Sequence, residues 1–146
     1  MSSRSAQGAA APSMLDLVRL SSRPLFPPGG EELYRQIALL TRLEAGQDVL
    51  VVACGLGVSV EYFVREFQVQ GSGVDADGTL VLRAEARLKE AELLHRASFQ
   101  RASPDRLPFR DRIFHVVVGE LGLAAEVDPA AAIRELVRVL KPGGRV

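Results

Sequence analysis

The sequence predicts one α/β domain on an open, mostly parallel sheet that is wound in both directions, with helices on both faces. Its 146 residues allow one domain with a sizeable core and fall short of two ordinary ones. Asp48 to Ala53 and Ile113 to Val118 are short, β-branched apolar runs, the pattern of strands buried on both faces. Apolar residues at helical spacing follow each run. Strand and helix therefore alternate, and right-handed crossovers bring such strands together in parallel.

Residues 1–13 are small and polar, with little to bury. Met14 to Leu20 has a brief apolar periodicity, and S-S-R-P-L-F-P-P-G-G forces a turn. Residues 1–23 are expected to be a mobile tail and 24–146 the folded domain. The first helix follows, with Glu31 and Glu32 at its positive end, Leu33, Ile37 and Leu40 on one face, and Gly46 beyond its exit. After the first strand, Val60, Phe63, Val64 and Phe67 mark the buried stripe of a second helix. G-S-G-V-D, Gly71 to Asp75, is a short strand poor in strand formers. Asp77 then caps a helix whose inner side carries Val81, Ala84, Leu88 and Ala91. A strand of weak composition is expected over Ser98 to Ala102 and one of strongly β-branched composition over Ile113 to Val118. Asp128-Pro129 opens the last helix, whose stripe is Ile133, Leu136, Val137 and Leu140. K-P-G-G should end that helix, and a further strand should begin at Gly144.

Composition narrows the function. Lys plus Arg equals Asp plus Glu at 18 each, so no net field favours nucleic acid or an anionic membrane. Cys54 is the only cysteine, which rules out an internal disulfide and any thiolate-rich metal site; no metal is expected. No apolar run reaches the ~20 residues of a membrane span, and the first residues lack a secretory signal's apolar segment. A reducing, cytoplasmic setting fits.

Ligands of such sheets lie outside the carboxyl ends of the strands, where the winding reverses. V-L-V-V-A-C-G-L-G-V-S, Val49 to Ser59, ends its strand there. Gly55 and Gly57 offer bare main chain, and the following helix begins with unpaired N–H groups that suit a carboxylate or a phosphate. Asp75, twenty residues after Gly55, suits an acid that accepts hydrogen bonds from ribose hydroxyls. An adenosine-containing ligand is expected. Glycines at a strand-to-helix turn also serve tight packing alone, and an acid after a short strand also serves as a turn former.

These residues resemble a family, the class I S-adenosylmethionine-dependent methyltransferases, in the group with small-molecule acceptors. P-P-G-G-E-E-L resembles its entry segment, V-L-V-V-A-C-G-L-G its first motif and V-D-A-D the acid of its second strand. L-P-F-R-D-R-I-F-H-V-V-V resembles the approach to its fourth strand, and E-L-V-R-V-L-K-P-G-G-R-V the helix and turn before its fifth. The resemblance implies a Rossmann-like fold with S-adenosylmethionine as cofactor. It places the methionyl part over Ala53, Cys54, Gly55 and Gly57, the ribose at Asp75 and the adenine between Ala76 and the pair Ser103 and Pro104. Gly119 and Glu120 would border the sulfonium and a small-molecule acceptor.

The chain also departs from that pattern. Val51 stands where the family usually has an acid, and Ala53 where it usually has the first glycine. Losing the acid's charge-assisted contact to the methionine amino group costs about 1.5–3 kcal/mol. Ser103 stands where an aspartate often meets the adenine, and His115 replaces the aspartate of F-D-V-V. His115 and Cys54 are read as packing residues, since neither has a catalytic partner in the sequence pattern. Glu120 is the one candidate to take a proton, although an acid in such a loop is more often simply solvated. The family's sheet continues past a fifth strand, so a longer parent chain or a homo-oligomer is expected to cover the edge. Two alternatives stay open: a non-catalytic binding or partner module, favoured by these departures, and a nicotinamide-dependent dehydrogenase half-domain. Val60 weakens the latter, because it stands where G-x-G-x-x-G needs its last glycine.

Overall fold

The computed structural model describes residues 30–120 and 128–146. The expected tail, the Met14 to Leu20 stretch and the proline-rich turn lie outside the described residues. The elements alternate as α1 (Gly30–Leu40), β1 (Asp48–Val52), α2 (Val58–Phe67), β2 (Gln70–Asp75), α3 (Gly78–Glu90), β3 (Ala97–Arg101), β4 (Phe114–Gly119), α4 (Pro129–Val139) and β5 (Leu140–Arg145). The sheet is parallel throughout, in the order β3-β2-β1-β4-β5. Winding runs outward from β1 to β3 and then returns to the other side of β1. The switch point thus lies between the tips of β1 and β4.

Each face of the sheet has its own core. Val49 and Val51 of β1 face Tyr34 and Ala38 of α1, Val60 and Phe63 of α2, and Val81 and Leu88 of α3. Leu50 and Val52 face the opposite way, onto Phe114, Val117, Leu107 and the α4 residues Leu136 and Val139. Four consecutive β1 residues, Val49 to Val52, are at most 1% exposed, as a central strand covered on both faces requires.

The poor composition of β2 has a packing cause. A Cβ on Gly71 would come within 2.7 Å of a Val64 methyl and 2.8 Å of a Val60 methyl, and one on Gly73 would overlap the Phe99 ring. Helix α2 and strand β3 fill the space that β2 gives up. Asp77 caps α3 by accepting from the Thr79 and Leu80 amides, and Asp128 caps α4 by accepting from Ala131.

Two helices are rotated from the expected stripes. In α1 the buried residues are Tyr34 and Ala38, while Leu33 and Leu40 are exposed. The Tyr34 ring lies 5.6 Å from Tyr62 and 5.9 Å from Phe63, and seating it turns the leucines outward. In α4, Ala132, Leu136 and Val139 face the sheet, while Ile133 and Val137 are more than half exposed. Arg138 sets that rotation, because its guanidinium donates to the Phe109 and Leu107 carbonyls, to Asp111 and to Glu135. Ala91 is the exposed C-cap of α3 and belongs to no stripe.

The last strand begins at Leu140, before the expected Gly144. Phe114 pairs with Leu140 and Val116 with Arg145, so the K-P-G-G segment bulges out of the ladder between the two pairs. Among the described residues no helix is long and apolar enough to cross a membrane, and no group of three His, Cys, Asp or Glu could hold a metal ion.

Candidate active site

The turn after β1 takes left-handed backbone at every second residue. Ala53 has φ 59°, Gly55 φ 54° and Gly57 φ 73°. Glycine takes this conformation freely, whereas alanine does so at a cost of about 1–2 kcal/mol. The Cys54 amide donates to the Val74 carbonyl at 3.0 Å and ties the turn to β2, and the Gly57 amide closes it on the Cys54 carbonyl at 2.9 Å.

The two glycines do different work. Among the described residues a Cβ on Gly55 would meet nothing within 4 Å, so Gly55 faces a space that these residues leave open at the mouth of the sheet. A Cβ on Gly57 would overlap the ring of Phe99, so Gly57 serves packing against β3. The two glycines thus lack a side chain beside different neighbours. Cys54 is also turned inward, 2% exposed, with its thiol pKa pushed up by burial first and then by the charges of Asp75 and Glu120. Only its main chain can line a site.

Asp75 ends β2 with its carboxylate turned onto that turn. One oxygen accepts from the Gly55 amide at 2.9 Å and the other from the Asp77 amide at 2.9 Å. The carboxylate is fixed within reach of the hollow, and each oxygen keeps a lone pair for a further donor. Beside it Ala76 is exposed, with its carbonyl accepting from Arg101 Nε at 3.2 Å.

Past β3 the Ala102 amide donates to the Asp75 carbonyl at 3.0 Å, which brings the next loop to the β2 tip. There Ser103 is exposed and its hydroxyl donates to Asp105 Oδ1 at 2.5 Å, whereas Pro104 is buried. Asp105 is an acid the sequence analysis did not single out. The available signal was its position two residues after Ser103, just before L-P-F.

On the other side of β1, Gly119 is exposed and the Glu120 amide continues the ladder to the Val52 carbonyl at 3.0 Å. Glu120 is not a solvated loop acid. It is half-buried, its Oε1 accepts from the hydroxyl of Ser59, and its pKa is pushed up to about 7 by burial, with the Asp75 charge adding to the rise and the Ser59 bond opposing it. Ser59, 1% exposed in the first turn of α2, was also missed, since its partner lies 61 residues away. The pKa of Tyr34 is raised by burial and then by the Glu120 charge. His115 lies at the other end of the sheet: its Nδ1 accepts from the Asp48 amide at 2.9 Å and its Nε2 is 3.4 Å from Lys141 Nζ. It is a partly exposed strand residue remote from the turn.

The tips of β2, β1 and β4 thus present, in that order, a fixed carboxylate, bare main chain beside a helix N-terminus, and a second, enclosed carboxylate. A sugar diol, a polar chain and a cation are the chemical groups that such a row can hold. A groove of about 420 Å³ along the β3 edge, lined by Leu82, Leu94 and Phe99 among others, is apolar and belongs to the flank of the sheet.

Residues 49–144 match the family described as "Methyltransferase domain". Over 103 residues the chain is 33% identical to the ubiquinone/menaquinone biosynthesis C-methyltransferase UbiE of Idiomarina loihiensis, covering 69% of this chain and 41% of that protein. It is also similar in structure to the [4+2]-cyclase SpnF, with TM-score 0.76 and 32% identity over 80% of this chain and 43% of that one. A methyltransferase of Geobacter sulfurreducens, solved with S-adenosyl-L-homocysteine, shares the fold with TM-score 0.72 and 24% identity, over 84% of this chain and 49% of that one. The chain spans about half the length, or less, of these proteins. With a family match over two thirds of its residues, on a parallel sheet whose first turn meets the acid of the second strand, the chain belongs to the class I S-adenosylmethionine-dependent methyltransferases.

Proposed function

We propose that the chain serves methyl transfer from S-adenosylmethionine to a small-molecule acceptor. The observation that carries this reading is the Asp75 carboxylate, held by the Gly55 amide beside the open face of Gly55. When bound, S-adenosylmethionine supplies a methyl group on a cationic sulfur, which a nucleophile displaces in line. The protein's part is alignment and the exclusion of water. Asp75 accepts from the ribose hydroxyls, and the main chain from Ala53 to Gly57 underlies the methionyl group. Ala76 and Ser103 flank the adenine, with Pro104 supporting the loop from within. Gly119, exposed at the β4 tip, leaves room for the sulfonium and the acceptor.

The similarity to UbiE supports a small apolar acceptor such as a hydroquinone ring, whose electron-rich carbon takes the methyl group. Methyl transfer itself requires no general base of the chain, because the sulfonium carries the driving force, and the proton that the acceptor gives up passes to water. A second reading is supported by one observation: SpnF, 32% identical, is a cyclase. The fold would then bind the cofactor without transferring its methyl group. Calorimetry with S-adenosylhomocysteine, followed by a methyl-release assay over hydroquinone and phenol acceptors, separates these readings. Micromolar binding with methyl release is expected. Binding without release favours the second reading, and no binding at millimolar ligand rejects both.

A further inference from the structure

We infer that Glu120 holds the ammonium group at the aminoacyl end of the cofactor and so supplies the negative charge that Val51 leaves out of β1. The inference rests on the cofactor assignment above and adds a residue to it. Sheet order fixes the direction of the ligand. β2, β1 and β4 are neighbours in that order, so a cofactor gripped by its sugar at Asp75 and laid across Ala53 to Gly57 brings its far end to the β4 tip. That end carries an ammonium and a carboxylate.

Val51 cannot meet the ammonium, because it is fully buried among the helices of one face. Asp75 is taken up by the ribose in this orientation, its two oxygens each also accepting one main-chain N–H group. Glu120 differs. Among the described residues its carboxylate has one hydrogen-bond partner, the Ser59 hydroxyl on Oε1, which leaves Oε2 for another donor. Ser59 lies in the first turn of α2, so the carboxylate is held beside the helix end whose free amides suit the ligand's own carboxylate. An anion next to a helix N-terminus matches both charges of an amino-acid group. The pKa of about 7 agrees, since it marks an enclosed carboxylate with no cation beside it among the described residues, and an ammonium would relieve it.

The test compares two ligands that differ in the group concerned. S-adenosylhomocysteine carries the aminoacyl end, while 5′-methylthioadenosine keeps the adenine, ribose and thioether and lacks it. Calorimetry on the wild-type chain and on Glu120→Gln at pH 7.5 should show S-adenosylhomocysteine weakened roughly tenfold or more, the loss typical of one charge-assisted contact, and 5′-methylthioadenosine changed less than about twofold. Equal losses on both ligands, or an unchanged affinity for S-adenosylhomocysteine, overturn the inference. If affinity is unchanged while methyl release falls, Glu120 is a proton acceptor. A wild-type chain that binds neither ligand overturns the cofactor assignment and this inference together.

Discussion

The two sides of the first turn are wired differently. On the β2 side the Asp75 carboxylate is held by two amides, the Cys54 amide is tied to β2, and Gly57 packs against Phe99. On the β4 side Glu120 is held, among the described residues, by one hydroxyl and is displaced from its ordinary pKa by burial. Backbone donors fix a carboxylate wherever the fold itself requires it. A carboxylate enclosed with a single hydroxyl partner instead lowers the stability of the free protein, a cost usually found where a charged ligand later arrives.

Gly57→Ala should break the tight side, with the largest effect. The methyl group must overlap the Phe99 ring and also hold φ near 73°, so urea unfolding should register a loss of about 2–4 kcal/mol. Phe99→Leu in the same chain should recover part of it. Gly55→Ala should cost only about 1–2 kcal/mol, because its methyl group meets none of the described residues and only the positive φ is strained. That variant should nonetheless lose cofactor affinity, because the methyl group enters the hollow. Similar stability losses in the two variants would remove the distinction between a packing glycine and a ligand-facing one.

The loose side is sharpened by the pH dependence of Glu120→Gln. A carboxyl raised from 4.5 to about 7 holds a proton in the folded chain that the unfolded chain has released between those values. Wild-type stability from this group therefore falls as pH rises from about 4.5 to about 7 and is level above. The variant lacks that fall. It should match the wild type near pH 4.5 and exceed it by about 2–3 kcal/mol at pH 8 in urea unfolding without ligand. A constant difference across the range would mean that Glu120 is not enclosed in the free protein.

The same contrast explains what was legible in the sequence. Signals carried by neighbouring residues were readable, such as the apolar run of β1 and the capping acids Asp77 and Asp128, and the acid that ends β2 was readable from its place in a known motif. Helix rotation was not. The leucines of α1 outnumber Tyr34, yet the ring contacts with Tyr62 and Phe63 decide which side faces in. Likewise Gly57 and Gly55 look alike until β3 brings Phe99 over one of them, and nothing near Glu120 in the sequence announces Ser59. Partners far apart along the chain determine these features, and periodicity carries no record of them.

The smallest expected effect tests whether the turn itself is under strain. Ala53 is held at φ 59°, between Val52 at the β1 tip and Cys54, whose amide is bound to Val74. An L-residue there costs about 1–2 kcal/mol, and the greater freedom of an unfolded glycine returns about 0.5–1. Ala53→Gly should therefore stabilise the chain by about 0.5–1 kcal/mol in urea unfolding, with no change in the slope against urea. The gain should persist in Glu120→Gln, because the strain belongs to the backbone and the Glu120 cost to desolvation, and independent sites add. A gain that vanishes in the double variant would couple the turn to the β4 carboxylate. A loss of stability would mean that the Ala53 methyl group makes a contact worth more than its strain, and the opening of Gly55 toward the hollow would then depend on that contact as well as on the positive φ values.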